Sequence, residues 1–220
     1  MAEPVELVIF DCDGVLVDTE RLSVRIDARV LADLGLPMSE QEVIDRFVGR
    51  TEVFWREEIQ RLLGRPLAEG EFEAYDSWYR EAWEADLTAI DGIAEAIDAL
   101  EARGVATCVA SSGTHERMEF TLGHTGLYER FAGRIFSATE VAEGKPSPLL
   151  FLHAAEVMGV APGACLVIED SRYGVLAARA AHMRVVGYSG SVIPADVLHE
   201  AGAHVVIDDM RKIPELLDLV

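Results

Sequence analysis

The sequence predicts an α/β chain whose parallel sheet is covered by helices on both faces and interrupted, after its first strand, by an all-helical insertion. Short apolar runs of buried-strand type recur at Val5 to Phe10, Val105 to Ala110, Cys165 to Ile168, Val185 to Tyr188 and Val205 to Ile207. Helical patterns separate the later runs, at Ile93 to Arg103, His115 to Leu122, Leu149 to Met158 and Tyr173 to Ala181. Strands that alternate with helices make a Rossmann-like parallel sheet, and such sheets bind ligands beyond the carboxyl ends of their strands.

The first run ends at Asp11. From about Glu20 to Asp86 the alternation stops, and the pattern predicts four helices: Glu20 to Leu34, Ser39 to Phe47, Glu52 to Leu63 and Glu69 to Ala85. Ser39 and Glu42 have the spacing of a capping box, and Gly35, Gly49 and Gly64-Arg65-Pro66 punctuate the segment. All three tryptophans fall here, with Phe47, Phe54, Phe72, Tyr75 and Tyr79. The expected organisation is therefore a catalytic core of residues 1–16 and 88–220 with a helical cap at 17–87. Neither internal repeats nor low-complexity segments are present.

At 220 residues, half of them apolar, the chain can bury a substantial core. Its formal net charge of -20 repels nucleic acid and anionic lipid, so neither is an expected partner. Cys12, Cys108 and Cys165 have no paired spacing, and the chain shows neither a signal peptide nor an apolar run of transmembrane length. A cytoplasmic enzyme, monomeric or weakly dimeric, is expected. The basic residues comprise 17 arginines and two lysines, Lys145 and Lys212, which gives each lysine unusual weight.

Four short elements are expected at strand ends: Asp11-Cys12-Asp13-Gly14, Ser111-Ser112-Gly113, Gly144-Lys145-Pro146 and Glu169-Asp170-Ser171. In a parallel sheet they share one edge. Clustered carboxylates repel unless a cation stabilises them, and oxygen-only donors select magnesium or a similar hard ion. A lysine beside them adds positive charge, and the combination suits a phosphoryl group under in-line attack. Gly14 and Gly113 permit close backbone approach, so their amides are candidate phosphate donors. The lysine element is no nucleotide-binding loop, because Thr139 stands where that loop needs glycine and Pro146 follows the lysine.

Phe10-Asp11-Cys12-Asp13-Gly14-Val15-Leu16-Val17-Asp18-Thr19-Glu20 and Glu169-Asp170-Ser171-Arg172-Tyr173-Gly174 resemble the first and fourth motifs of the haloacid dehalogenase superfamily. The match covers nearly the whole chain. The insertion resembles the small helical cap of the subgroup holding β-phosphoglucomutase and sugar-phosphate phosphatases. The resemblance implies that Asp11 attacks phosphorus and that Asp13 protonates the leaving oxygen, then activates water. It implies Mg2+ held by Asp11, the Asp13 carbonyl and Asp170, with Glu169 direct or one shell out. Ser111 and Lys145 would hold phosphoryl oxygens, with Ser112 and Gly113 beside them.

Related chemistries separate on single residues. Dehalogenases lack the second aspartate, present here as Asp13; phosphonoacetaldehyde-cleaving relatives need a cap lysine, and residues 17 to 88 contain none. The mutases carry a cap histidine where this chain has Ser23, and Glu52 aligns with their cap arginine. Response-regulator receivers, which are switches and not enzymes, phosphorylate an aspartate on a later strand and have no cap. The expected activity is therefore hydrolysis of small phosphorylated metabolites, with the mutase as alternative. In the cap, Arg50 is the candidate for binding a distal anion, with Glu20 near the cleft mouth and Arg21 weaker. Asp18 reads equally as helix cap or ligand, Cys12 as core filler, and Asp208-Asp209 as a solvated turn. The histidines show no metal spacing.

Overall fold

The computed structural model describes residues 3–48, 52–68 and 70–217. In chain order the strands are β1 (Leu7–Phe10), β2 (Ala106–Ser111), β3 (Ile135–Ser137), β4 (Cys165–Glu169), β5 (Arg184–Tyr188) and β6 (Val205–Ile207). The helices are α1 (Thr19–Asp33), α2 (Glu40–Phe47), α3 (Glu52–Leu63), α4 (Asp76–Asp86), α5 (Ile93–Ala102), α6 (His115–His124), α7 (Leu149–Met158), α8 (Arg172–Ala180), α9 (Ala195–Glu200) and α10 (Ile213–Leu216). Contacts divide the chain into two compact units, residues 1–18 with 88–220, and residues 19–87.

The first unit is an α/β sheet of six parallel strands in the order β3-β2-β1-β4-β5-β6. Every residue of β1 and β4 is buried. Successive strand side chains point to opposite faces, so both faces of the sheet centre are covered. This is why these strands are apolar runs and not alternating patterns. Chain order reverses at β1, the topological position where such sheets bind ligands. Phe10 pairs with Val109 and Ile168, so Asp11, one residue on, stands level with Ala110 and Glu169.

The boundary lies at 18/19, two residues beyond the expected 16/17. Val17 and Asp18 are held on the sheet unit by backbone pairing: Val17 bridges Asp13 and Ala89, and the Asp18 amide donates to the Thr88 carbonyl at 3.0 Å.

The second unit is helical among its described residues. In α1, Leu22, Ile26 and Val30 recur every four residues and are buried, which makes one apolar stripe. α1 packs on α2 and α4. Tyr79 and Tyr75 of this unit donate their hydroxyls to Asp27 at 2.5 Å and Asp33 at 2.7 Å, and the Arg29 guanidinium lies 3.8 Å above the Trp78 ring. The Ser39 capping box forms: the Ser39 amide donates to Glu42 Oε2 at 2.8 Å and the Glu42 amide to Ser39 Oγ at 3.3 Å.

Three local expectations change. The helix expected from Glu69 begins at Asp76, after one 3-10 turn at Glu73–Tyr75. Gly70 adopts φ +77°, which interrupts a helix, and Glu71 is occupied by Arg65 at 2.6 and 2.9 Å and by the Ala68 amide at 2.7 Å. β3 was not expected, because three residues are too short for a periodic signal. Consequently Gly144-Lys145-Pro146 does not end a strand: β3 stops at Ser137, and Lys145 sits in the loop that leads to α7.

Candidate active site

The carboxyl edge of β1, β2 and β4 gathers the reactive side chains. Lys145 reaches back from its loop, and its Nζ donates to Asp11 Oδ1 and Glu169 Oε1, both at 2.6 Å, and to the Ala110 carbonyl at 3.2 Å. The ammonium also lies 5.0 Å from the centre of the Phe151 ring. Glu169 is fully buried, and its second oxygen accepts from the Ser171 amide at 2.9 Å and hydroxyl at 2.8 Å. Ser171 in turn caps α8, accepting from the Gly174 amide at 3.0 Å.

Two glycines make this density possible. A Cβ on Gly174 would lie 1.8 Å from the Glu169 carboxyl carbon, so only glycine lets the first turn of α8 pass this side chain. A Cβ on Gly14, whose φ is +75°, would lie 1.9 Å from Asp170 Oδ2 and 3.0 Å from the Ser191 hydroxyl. Gly14 thus provides room for Asp170. Its amide is already donated to the Val17 carbonyl at 2.8 Å, and the Gly113 amide to Ser111 Oγ at 3.1 Å. Both amides are engaged within their own turns.

Asp11, Glu169 and Asp170 offer carboxylate oxygens within 4.8 Å of one another, the one such group among the described residues. Three carboxyl groups face one lysine in a buried site, so acid outnumbers base there. Burial raises the Asp11 carboxyl to about 7; Lys145 opposes this and the Glu169 charge adds to it. Burial alone lowers the Lys145 ammonium, but the Asp11 and Glu169 carboxylates outweigh it and hold the group above the ordinary lysine range. An all-oxygen donor set with this excess of acid fits a hard divalent cation.

Asp13 makes a further ion pair. Its carboxylate accepts from the Arg117 guanidinium at 3.0 Å, on the first turn of α6. Ser111 is buried at the end of β2, Ser112 is exposed, and Gly113 lies between them and α6 with its carbonyl accepting from Ser137 Oγ at 2.7 Å. The structure thus brings together Asp11, Lys145, Glu169 and Asp170, with the Asp13 charge close enough to act on Asp11, and it joins Asp13 to Arg117. Glu20 is the second residue of α1, in the helical unit. Arg50 lies outside the described residues. Cys12 is buried with its thiol 4.0 Å from the Thr121 hydroxyl, where burial pushes its pKa up, which is the chemistry of core filler. Asp209 caps a 3-10 turn by accepting from the Arg211 amide at 3.0 Å, and Asp208 pairs with Lys212 at 2.5 Å.

Arg117 escaped sequence reading because one arginine among 17 carries no signal. Gly174 had one: a glycine in the first turn of an alanine-rich helix breaks helix propensity and needs a reason.

A family model described as haloacid dehalogenase-like hydrolase matches residues 5–182. The chain is 29% identical over 213 residues to 6-phosphogluconate phosphatase of Escherichia coli K12, covering 96% of this chain and 94% of that protein. It is 33% identical over 195 residues to phosphoglycolate phosphatase of Thiobacillus denitrificans, covering 81% and 80%. A crystal structure of a HAD family hydrolase from Deinococcus radiodurans R1, with bound phosphate and sodium, superposes with a TM-score of 0.81 at 30% identity, covering 96% and 93%.

Proposed function

The chain belongs to the haloacid dehalogenase-like hydrolase family as a phosphoric monoester hydrolase, and from that premise we propose that it hydrolyses small phosphorylated metabolites by attack of Asp11 on phosphorus. The observation that carries this reading is Lys145 bridging Asp11 and Glu169 at 2.6 Å on each side, beside Asp170. One oxygen of the proposed nucleophile is thereby fixed in direction, and the ion pair opposes the burial that would otherwise neutralise it.

An Asp11 oxygen forms a bond to phosphorus as the bond to the leaving oxygen breaks, and Asp13 gives that oxygen its proton. Water then attacks the aspartyl-phosphate, Asp13 takes up a water proton, and Asp11 is restored. Ser111 and Lys145 orient the phosphoryl oxygens, with Ser112 and Gly113 forming the adjacent loop. Magnesium would be held by Asp11, Asp170 and the Asp13 carbonyl, with Glu169 direct or one shell out, and would supply the positive charge that the phosphoryl oxygens need. The phosphate in the Deinococcus structure supports an anion site on this fold.

Hydrolysis is favoured over the mutase reaction because Ser23 stands where mutases place the histidine that keeps water from the intermediate. The proposed substrates are sugar phosphates and phosphorylated acids of the phosphogluconate or phosphoglycolate type, in line with the two relatives. Arg50 is the proposed contact for a distal carboxylate, and Glu20 is a second proposed substrate contact. The three cysteines are free and buried, which fits a reducing, cytoplasmic setting, and a monomer or weak dimer is proposed. Among the described residues no helix is long and apolar enough to cross a membrane.

A screen of phosphorylated metabolites, run with magnesium and with chelator, tests the reading. Asp11→Asn is expected to lower kcat by about a thousandfold or more while the circular dichroism spectrum is unchanged. Turnover near that of the unmodified chain would overturn the mechanism. Arg50→Ala is expected to reduce the preference for substrates with a distal carboxylate over neutral sugar phosphates, and an unaltered ranking excludes Arg50 from recognition.

A further inference from the structure

We propose that Arg117 is a positioning residue for Asp13, holding one carboxylate oxygen so that the other faces the Ser111-Ser112-Gly113 loop for proton transfer to the leaving oxygen. The inference rests on the phosphatase reading above.

Arg117 stands in the first turn of α6, behind the Thr114 cap, whose hydroxyl accepts from the Arg117 amide at 3.2 Å. A cation is unfavourable there, because the positive end of the helix dipole lies at the same place. A local rule broken in this way requires an offsetting partner. The partner is Asp13, whose Oδ1 accepts from the guanidinium at 3.0 Å although the two residues are 104 positions apart.

The Asp13 backbone is fixed independently. Its turn is closed by the Gly14 amide donating to the Val17 carbonyl at 2.8 Å and by the Leu16 and Val17 amides donating to the Cys12 carbonyl at 2.9 and 3.2 Å. What the turn leaves to settle is the torsion of the carboxylate. Arg117 takes Oδ1, while Oδ2 lies 3.8 Å from where a Gly113 Cβ would stand, on the side of the proposed phosphoryl loop. The Arg117 Cδ lies 3.5 Å from that same point, so arginine, carboxylate and loop converge. In the reaction the leaving oxygen departs from phosphorus and takes the proton from Asp13, and the carboxylate so formed faces the guanidinium. Arg117 therefore acts on the leaving group through Asp13, and its effect depends on how much that oxygen needs a proton.

This dependence separates positioning from a structural or phosphate-binding role. An alkyl phosphate has a poor leaving group and needs the acid; p-nitrophenyl phosphate does not. For Arg117→Gln, kcat/KM is expected to fall about tenfold or more on the alkyl phosphate and under about threefold on p-nitrophenyl phosphate, with Arg117→Lys recovering part of the loss. In an Asp13→Asn background, Arg117→Gln is expected to add less than about threefold on the alkyl phosphate, because the two residues act as one unit. Inhibition by inorganic phosphate is expected to change by less than about twofold. Equal losses on both substrates, additive losses in the double variant, or phosphate inhibition weakened about tenfold would each overturn the proposal. If instead Asp13→Asn alone turns over the alkyl phosphate as well as the unmodified chain, the acid–base reading itself fails. Arg117→Lys preserves length and charge and keeps the comparison available should the glutamine variant misfold.

Discussion

At the scale of single residues, the candidate site depends on where side chains are missing as much as on which are present. The buried Glu169 carboxylate occupies the space that a Gly174 Cβ would take, at 1.8 Å. Gly174→Ala must therefore push either α8 or Glu169 aside. Overpacking of this kind costs about 2 kcal/mol or more, so the melting temperature is expected to fall and activity with it. A thermal melt with an assay at a permissive temperature checks this, and an alanine variant as stable and active as the parent would mean that the α8 turn yields freely. Asp11, Lys145, Glu169 and Asp170, which the structure brings together, were named from the sequence through motifs that resemble those of the family. Arg117 was not, since it meets Asp13, 104 positions away in the sequence, only through the tertiary fold. Nor was it legible that the Gly14 and Gly113 amides close their own turns, because a glycine motif specifies permitted backbone and not its partner.

At the scale of elements, period and capping carried the sequence reading. The α2 capping box, the α1 stripe and the buried runs of β1 and β4 follow from residue spacing alone. The start of α4 and the strand β3 did not, since one is decided by the ion pairs of Arg65 with Glu71 and the other is three residues long. The contact between α1 and α4 yields a pH prediction. Burial raises the Asp27 carboxyl to about 6, and the Tyr79 hydroxyl bond only partly opposes it. The folded pKa lies above the unfolded value of about 3.9, so the protonated group stabilises the fold at low pH. That stability is fully present below about pH 4 and is lost as pH rises through about 6, by about 3 kcal/mol. All three tryptophans lie in this unit, so tryptophan fluorescence in urea between pH 5 and 7.5 reports it. Asp27→Asn is expected to flatten the pH dependence; an unchanged slope would assign the effect to another group.

At the scale of the molecule, a net charge of -20 sits on a chain whose proposed substrates are anions. Repulsion is offset locally by Lys145 and Arg117, and a cation on the Asp11, Glu169 and Asp170 oxygens would offset it further. A ligand that binds only the folded chain stabilises it, so magnesium at a hundred times its dissociation constant adds about 2.7 kcal/mol. The melting temperature is expected to rise by roughly 5–10 °C and to fall back with chelator. Asp170→Asn is expected to abolish most of this rise, and a variant that keeps the full shift would place the cation elsewhere.

Residue order alone determined the α/β class and the helical insertion, because burial on both faces and helical period impose local patterns that a linear reading captures; the candidate residues for phosphoryl chemistry came from motifs that resemble those of the family. Only the tertiary structure decided that Lys145 comes from a loop and not a strand end, that Asp13 pairs with Arg117, and that Gly14 and Gly174 serve by the space they leave. Those features depend on side chains from distant segments competing for the same few ångströms, and no local pattern encodes that competition.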